Sequence, residues 1–278
     1  MGSYSVIDSI TKSMIFTTDR NKPLGSKSMK FTLIAMTLNE IQAMKIIMPR
    51  IDPDWFDQIL VVDGGSTDGT VEWARENGLQ VYVQKEPGIR NGYLEAWPLV
   101  EGDVVVTFSP DGNSIPEKLP EIIEKMKEGY DMVVASRYLG DAKSDDDDFI
   151  TGFGNWLFTN TVNLLFGGKY TDVMVIYRAF DVNLIRYLDL DKDNDFIWPE
   201  KLFFNPARTI SWEPILSVLA QKYGYKCGEI SASEPPRIGG ERKLKIIQWG
   251  GAVYLQFWLE FLRFKKPRRL RENCIKNI

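Results

Sequence analysis

Short apolar runs alternate with amphipathic stretches through the first half of the chain. Phe31–Leu38 (FTLIAMTL) is apolar enough for a strand buried on both faces, and Gln58–Val62, Leu79–Val83, Asp103–Phe108 and Asp131–Ala135 repeat the signal. Between them, Glu40–Met48, Thr70–Asn77, Asn91–Leu99 and Pro116–Glu128 read as helices. In the last of these Leu119, Ile122, Ile123 and Met126 recur at three- and four-residue spacing. The alternation predicts an α/β fold: a doubly wound, mainly parallel sheet with helices on both faces.

Beyond residue 140 the pattern loosens. Asp145–Asp148 is a run of four acids that reads as a solvated loop tip. A helix over Gly154–Phe166, a strand within Thr171–Phe180, a helix over Trp212–Tyr223 and a strand at Tyr225–Ser231 follow. Glu234–Arg242 carries two prolines, two glycines and two arginines, the composition of a hinged loop. A final helix is predicted from Lys243 to Phe264. It bears Trp249, Tyr254, Phe257, Trp258, Phe261 and Phe264, while Lys245, Gln248, Gln256, Glu260 and Arg263 fall on one narrow stripe. Lys265, Lys266, Arg268, Arg269 and Arg271 come directly after. The expected organisation is therefore a polar extension (1–29), one α/β domain (30–242), an aromatic amphipathic helix (243–264) and a basic tail (265–278).

Composition narrows the chemistry. The 278 residues are 44% hydrophobic and 26% charged, as in an ordinary globular chain, and a net charge of -4 argues against a nucleic-acid binder. Histidine is absent, which excludes Ser-His-Asp triads, Cys-His pairs and His-ligated metals and leaves carboxylates and amides for acid, base and metal work. Two cysteines, Cys227 and Cys274, are too few for a zinc cluster or a disulfide framework. No basic-then-apolar leader is visible, and no run reaches the roughly 18 apolar residues that cross a bilayer. The expectation is a chain kept in the cytosol or peripheral on the inner face of the plasma membrane.

In doubly wound sheets ligands bind beyond the carboxyl ends of the strands, and here those ends are polar. Strand one ends in Thr37-Leu38-Asn39-Glu40 and strand two in Asp63-Gly64-Gly65-Ser66-Thr67-Asp68-Gly69-Thr70. Strand four ends in Ser109-Pro110-Asp111-Gly112-Asn113 and strand five in Ser136-Arg137-Tyr138. Ser66 through Thr70 suit a strand-to-helix turn with Thr67 or Asp68 as cap. Asp63, at the top of the sheet, suits the imide N–H of uracil or thymine. Neither GxGxxG nor GxxxxGK[ST] is present, so neither a dinucleotide cofactor nor a P-loop is indicated. Arg90 opens a helix whose N-terminal N–H groups favour anions.

The Thr-Leu-Asn-Glu strand end, the Val61–Thr70 stretch and the acid after strand four together resemble the family-2 glycosyltransferases. The nearest type is that of the polyprenyl- or dolichyl-phosphate mannosyl- and glucosyltransferases, over about residues 31–245. The resemblance implies a GT-A fold, a nucleotide-diphosphate-sugar donor, a divalent metal (Mg²⁺ or Mn²⁺) and inversion at the anomeric carbon. It places Thr37, Asn39, Glu40, Asp63 and Arg90 around the donor nucleotide. Asp111 matches the second acid of the family's Asp-x-Asp metal motif, Ser109 stands where the first would be, and Asn113 occupies a further ligand position. Arg137, Arg178, Arg237, Arg242 and Lys243 would face the diphosphate or an acceptor phosphate; Arg242 stands where the family has Ser in an otherwise similar loop. Asp172 and Glu213 resemble the family's acids near the acceptor.

The acceptor divides into two chemical cases. A saccharide hydroxyl needs a positioned carboxylate base, for which Glu213 and Asp172 are the candidates. A phosphate monoester, with a second pKa of about 6, is largely dianionic at pH 7 and needs none. The aromatic helix with its basic tail (244–271) suits an anionic membrane interface, which favours a polyprenyl phosphate; packing on the sheet or on a second copy in a homodimer is the other use of such a helix. Non-transferase readings are a nucleotidyltransferase, which would want a Gly-rich signature with a cation near strand one, and a nucleotide-sugar-binding protein without catalysis, for which Ser109 speaks.

Overall fold

The computed structural model describes residues 29–192, 196–203, 210–239 and 246–263. Arg242, Lys243 and the basic tail lie outside the described residues, as do residues 1–28 of the expected extension.

The strands are β1 (Phe31–Thr37), β2 (Gln58–Asp63), β3 (Gln80–Val83), β4 (Val104–Phe108), β5 (Met132–Ser136), β6 (Arg178–Asp181) and β7 (Cys227–Ser231). They form a seven-stranded sheet in the order β3-β2-β1-β4-β6-β5-β7. Every pairing is parallel except those of β6, which runs antiparallel between β4 and β5. The runs of Val, Ile and Leu in β1, β2, β4 and β5 are buried on both faces, as a sheet covered by helices requires. β3, expected as another buried run, is an edge strand with Gln80 and Val83 exposed.

The helices are α1 (Ile41–Ile47), α2 (Thr70–Glu76), α3 (Ile89–Ala96), α4 (Leu119–Lys127), α5 (Phe149–Phe166), α6 (Leu184–Tyr187), α7 (Ile197–Phe203), α8 (Glu213–Lys222) and α9 (Ile246–Leu262). α5 starts five residues earlier than periodicity predicts, because Asp148 and Thr151 form a reciprocal capping box. The last of the four acids is thus a helix cap, worth about 1 kcal/mol, and not part of a solvated tip. α5, α7 and α8 gather on α9. Gly251 makes the α7 contact feasible, since a Cβ there would come within 2.6 Å of the Phe203 ring.

Because β6 is reversed, the carboxyl ends of β1, β2, β4, β5 and β7 share one rim with the amino end of β6. The strand expected over Thr171–Phe180 shrinks to β6 for a chemical reason. The Asp172 carboxylate accepts the N–H groups of Met174 and Val175 and turns the chain. The Arg178 guanidinium then collects the carbonyls of Val173, Val175 and Glu213 and the hydroxyl of Ser217. Arg178 is 0% exposed, so it closes an irregular loop inside the protein and does not reach a phosphate at the rim.

Arg178→Met should therefore act on folding. It leaves several buried carbonyls without a donor, each costing about 1–3 kcal/mol, so urea denaturation should show a loss of about 3 kcal/mol or more. Were Arg178 a ligand contact instead, stability would hold and only phosphate binding would fall.

Candidate active site

The first rim element is the turn after β2. Asp63 is completely buried: Oδ1 accepts the N–H groups of Gly65 and Ser66, and Oδ2 accepts the hydroxyls of Thr37 (2.9 Å) and Ser66 (2.5 Å). These four bonds fill the lone-pair sites of a carboxylate. Asp63 thus builds the turn, and reading a base would require one bond to give way, most easily the rotatable Ser66 hydroxyl. Thr37 is committed to Asp63 in the same way. Asn39 takes a left-handed conformation (φ 54°), accepts Thr67 N–H at its Oδ1 and donates its own N–H to Ser66. Asp68 ties the first residues of two helices together, accepting Ile41 N–H and the N–H and hydroxyl of Thr70. Burial works against its charge, but these bonds hold its carboxyl below the usual carboxylate range.

The second element follows β4. Asp111 is buried; its Oδ1 accepts Asn113 N–H and its Oδ2 lies 2.7 Å from Arg237 Nη2. Its carbonyl accepts Ile238 N–H at 2.8 Å, which draws the 234–239 segment over the rim. That approach depends on Gly112 (φ +99°), where a Cβ would come within 2.7 Å of the Ile238 side chain. Arg237 also donates to Glu40 Oε1 at 3.1 Å. Asn113 donates its amide N–H groups to Asp146 and Glu234, which orients its buried Oδ1 away from them; that oxygen has no hydrogen-bond partner.

The third element follows β5. Arg137 forms a bidentate pair with Asp172 (2.6 and 3.1 Å), reaches Glu234 Oε2 at 3.2 Å and lies 3.9 Å from Asp147. Burial opposes its charge and Asp172 restores it, so Arg137 stays a firm cation. Tyr138 donates to Asp147 and Ser144 to Glu234, and main-chain bonds between Lys143, Asp145 and Glu234 strap the acid loop to the segment after β7.

Expected and unexpected residues thus meet in one network: Glu40, Asp111, Asn113, Arg137, Asp172 and Arg237 with Asp146, Asp147 and Glu234. Sequence reasoning left the last three out of the site; the four-acid run and the acid opening the Pro-Pro-Arg segment are the signals that point to them. Six carboxylates here meet two guanidiniums. Among the described residues no three carboxylates converge as a ready cation cage; Arg237 and Arg137 stand between them. Asp111 and the unpartnered Asn113 Oδ1 are hard oxygen donors of the kind that Mg²⁺ or Mn²⁺ takes together with phosphate oxygens and water.

Three expected residues stand apart. Arg90 is buried, its guanidinium stacked 3.8 Å over Phe196 and paired with Glu200 at 3.0 Å, so it pins α3 to α7 rather than lining a nucleotide pocket. Glu213 is 1% exposed; its Oε1 accepts the hydroxyl of Tyr93, which stacks on Trp212, at 2.6 Å, and its Oε2 has no hydrogen-bond partner. Burial, reinforced by Glu213, pushes the Tyr93 phenol well above its ordinary range. Arg178 closes the interior loop already described.

Residues 50–187 match the family model described as Glycosyl transferase family 2, and the chain belongs to that family. It is 27% identical over 237 residues to an undecaprenyl-phosphate mannosyltransferase of Micrococcus luteus, covering 81% of this chain and 96% of that protein. It is also 27% identical over 219 residues to a dolichyl-phosphate hexose transferase of Haloferax volcanii, covering 78% and 87%. Among solved structures, the glucosyl-3-phosphoglycerate synthase of Mycobacterium tuberculosis, crystallised with Mn²⁺, UDP and glucosyl-3-phosphoglycerate, superposes with a TM-score of 0.57. The match covers 84% of this chain and 80% of that one at 16% identity, a likeness of fold, here the GT-A fold.

Arg237 is the cation that Asp111 holds in the absence of any other. Arg237→Ala is expected to tighten Mn²⁺ binding severalfold in titration calorimetry without nucleotide, because the competing charge is gone. The same variant should weaken binding of a nucleoside diphosphate in the presence of Mn²⁺. Unchanged Mn²⁺ affinity would show that the pair does not guard the metal donors.

Proposed function

We propose that the chain is an inverting hexosyltransferase that moves a sugar from a nucleotide-diphosphate donor to a polyprenyl phosphate with the help of a divalent metal. The observation that carries the metal is the acidic rim: six carboxylates against two guanidiniums repel a diphosphate unless a cation accompanies it. Asp111 and Asn113 Oδ1 would hold Mg²⁺ or Mn²⁺, which when bound neutralises the diphosphate as leaving group.

The choice of acceptor follows from the two acids that a hydroxyl would need. Asp172 is locked in a bidentate pair with Arg137 and caps two backbone N–H groups. Glu213 is 1% exposed with Oε1 taken by the Tyr93 hydroxyl, so a saccharide hydroxyl would have to enter the interior to reach its other oxygen. A base so committed serves a saccharide hydroxyl poorly, whereas a phosphate dianion brings its own nucleophilic oxygen. That oxygen attacks the anomeric carbon from the face opposite the diphosphate, the bond to the diphosphate oxygen breaks, and the nucleoside diphosphate departs with the electron pair. No proton need move. Arg237, released from Asp111, would meet the departing diphosphate, and Arg137 the acceptor phosphate. The relatives that act on undecaprenyl and dolichyl phosphates support the same reading.

The test is transfer from a panel of labelled UDP- and GDP-sugars, with Mn²⁺ or Mg²⁺, to polyprenyl phosphate, free polyprenol and simple saccharides. Label is expected in organic-extractable lipid with the phosphate alone, at a rate that falls as pH drops below about 6 and the acceptor's second proton returns. Transfer to a saccharide hydroxyl, or donor binding without turnover on any acceptor, would overturn the assignment.

A further inference from the structure

α5 is an amphipathic helix turned inside out. Its buried side carries Asn155, Thr159 and Thr161 beside Val162, whereas Phe149, Phe153, Trp156, Asn160 and Leu164, at spacings of four, three, four and four, face solvent. Phe149 is 88% exposed, Trp156 59% and Leu164 84%. The outer aromatics stack on each other, Phe149 on Phe153 and Phe153 on Trp156.

α9 buries polar side chains beside the apolar Ala252, Val253 and Phe257. Gln256 and Glu260 of the polar stripe are buried against the body, Glu260 held by Lys222 of α8, while Trp258, Phe261 and Leu262 are exposed. The two faces join where Phe166 meets Phe261 at 6.2 Å, and α7 adds Trp198 (71% exposed) and Leu202. An exposed apolar surface drawn from three helices is unusual for a protein that stays in water.

We propose that the outer faces of α5, α7 and α9 form one docking surface for an anionic lipid bilayer. Aromatic residues in such number suit the headgroup–acyl boundary. Lys265, Lys266, Arg268, Arg269 and Arg271 follow within ten residues of Leu262 in sequence, a charge complementary to anionic headgroups and not to a second copy of the same basic run. α5 begins at Asp148, directly after the acid loop whose Asp146 and Asp147 bind Asn113 and Arg137 of the site. The bilayer surface therefore adjoins the rim, which gives the lipid-phosphate acceptor proposed above its route to the site; the docking itself rests on the helices and not on that assignment.

The experiment is flotation of the full-length protein with vesicles of phosphatidylcholine containing phosphatidylglycerol, free of polyprenyl phosphate and donor. The chain is expected to float with these vesicles and much less with phosphatidylcholine alone. Phe153→Asp combined with Trp156→Asp and Leu164→Asp should reduce flotation tenfold or more with unchanged thermal stability and unchanged nucleoside-diphosphate binding. Replacing the five basic residues by Gln should remove most of the salt dependence. No flotation of the wild type, or flotation indifferent to the α5 changes, would overturn the proposal. So would a dimer in sedimentation that the same changes dissolve, for then a second copy covers the face. Vesicle binding intact without transfer to polyprenyl phosphate would refute the acceptor and leave the docking standing.

Discussion

The ion pair between Asp111 and Arg237 is the contact on which the site turns. Asp111 stands at the end of a strand buried on both faces, and Arg237 on a segment drawn over the rim by Ile238 N–H and made room for by Gly112. Around it six carboxylates stay together because two guanidiniums lie between them. Such a rim is neutralised only in part, and it accepts a polyanion only by taking up further positive charge. In the proposed reaction the guanidinium that pairs with Asp111 would then meet the departing diphosphate, so one cation would serve two anions in turn.

The remaining cations do structural work that residue type alone does not reveal. A guanidinium offers five N–H donors to any oxygen, and a phosphate and a ring of carbonyls look alike to it. Arg178 and Arg90 sit where the family pattern sets cations near ligands. Folding spends the first on the carbonyls of Val173, Val175 and Glu213 and the second on Glu200 and Phe196. The sheet, by contrast, was legible, because Val- and Ile-rich runs in alternation with amphipathic helices admit few other arrangements. Its reversed strand was not: the Asp172 turn is local, but the Arg178 clasp that shortens β6 also draws on Glu213 and Ser217, which are far away in sequence. Of the site, Asp111, Asn113 and Arg137 were legible from their place after strands, and Asp172 from the family pattern alone. Glu234, Asp146 and Asp147 enter it through a strap between two loops far apart in sequence.

The helices α5 and α9 carry a related lesson. Periodicity finds the polar stripe of α9 but not the direction it faces, and a stripe of Gln and Glu is ordinarily given to water. Here Lys222 captures Glu260, and Gln256 and Glu260 of the stripe turn inward while Gln248 stays exposed with Trp258, Phe261 and Leu262. α5 follows the same rule. No described helix is long and apolar enough to cross a membrane, and the docking proposed for the outer faces of these helices would need no crossing.

The central claim is that Asp111 gives up Arg237 for a divalent ion that arrives with the donor's diphosphate and that Asn113 also ligates. A crystal structure of the full chain with Mn²⁺ and UDP or GDP tests it most directly. The account expects Mn²⁺ bonded to an Asp111 oxygen, to Asn113 Oδ1 and to the diphosphate, with the Arg237 guanidinium moved onto the phosphates. A nucleoside diphosphate seated on the rim with Asp111 still paired to Arg237 and no metal beside it would contradict the account.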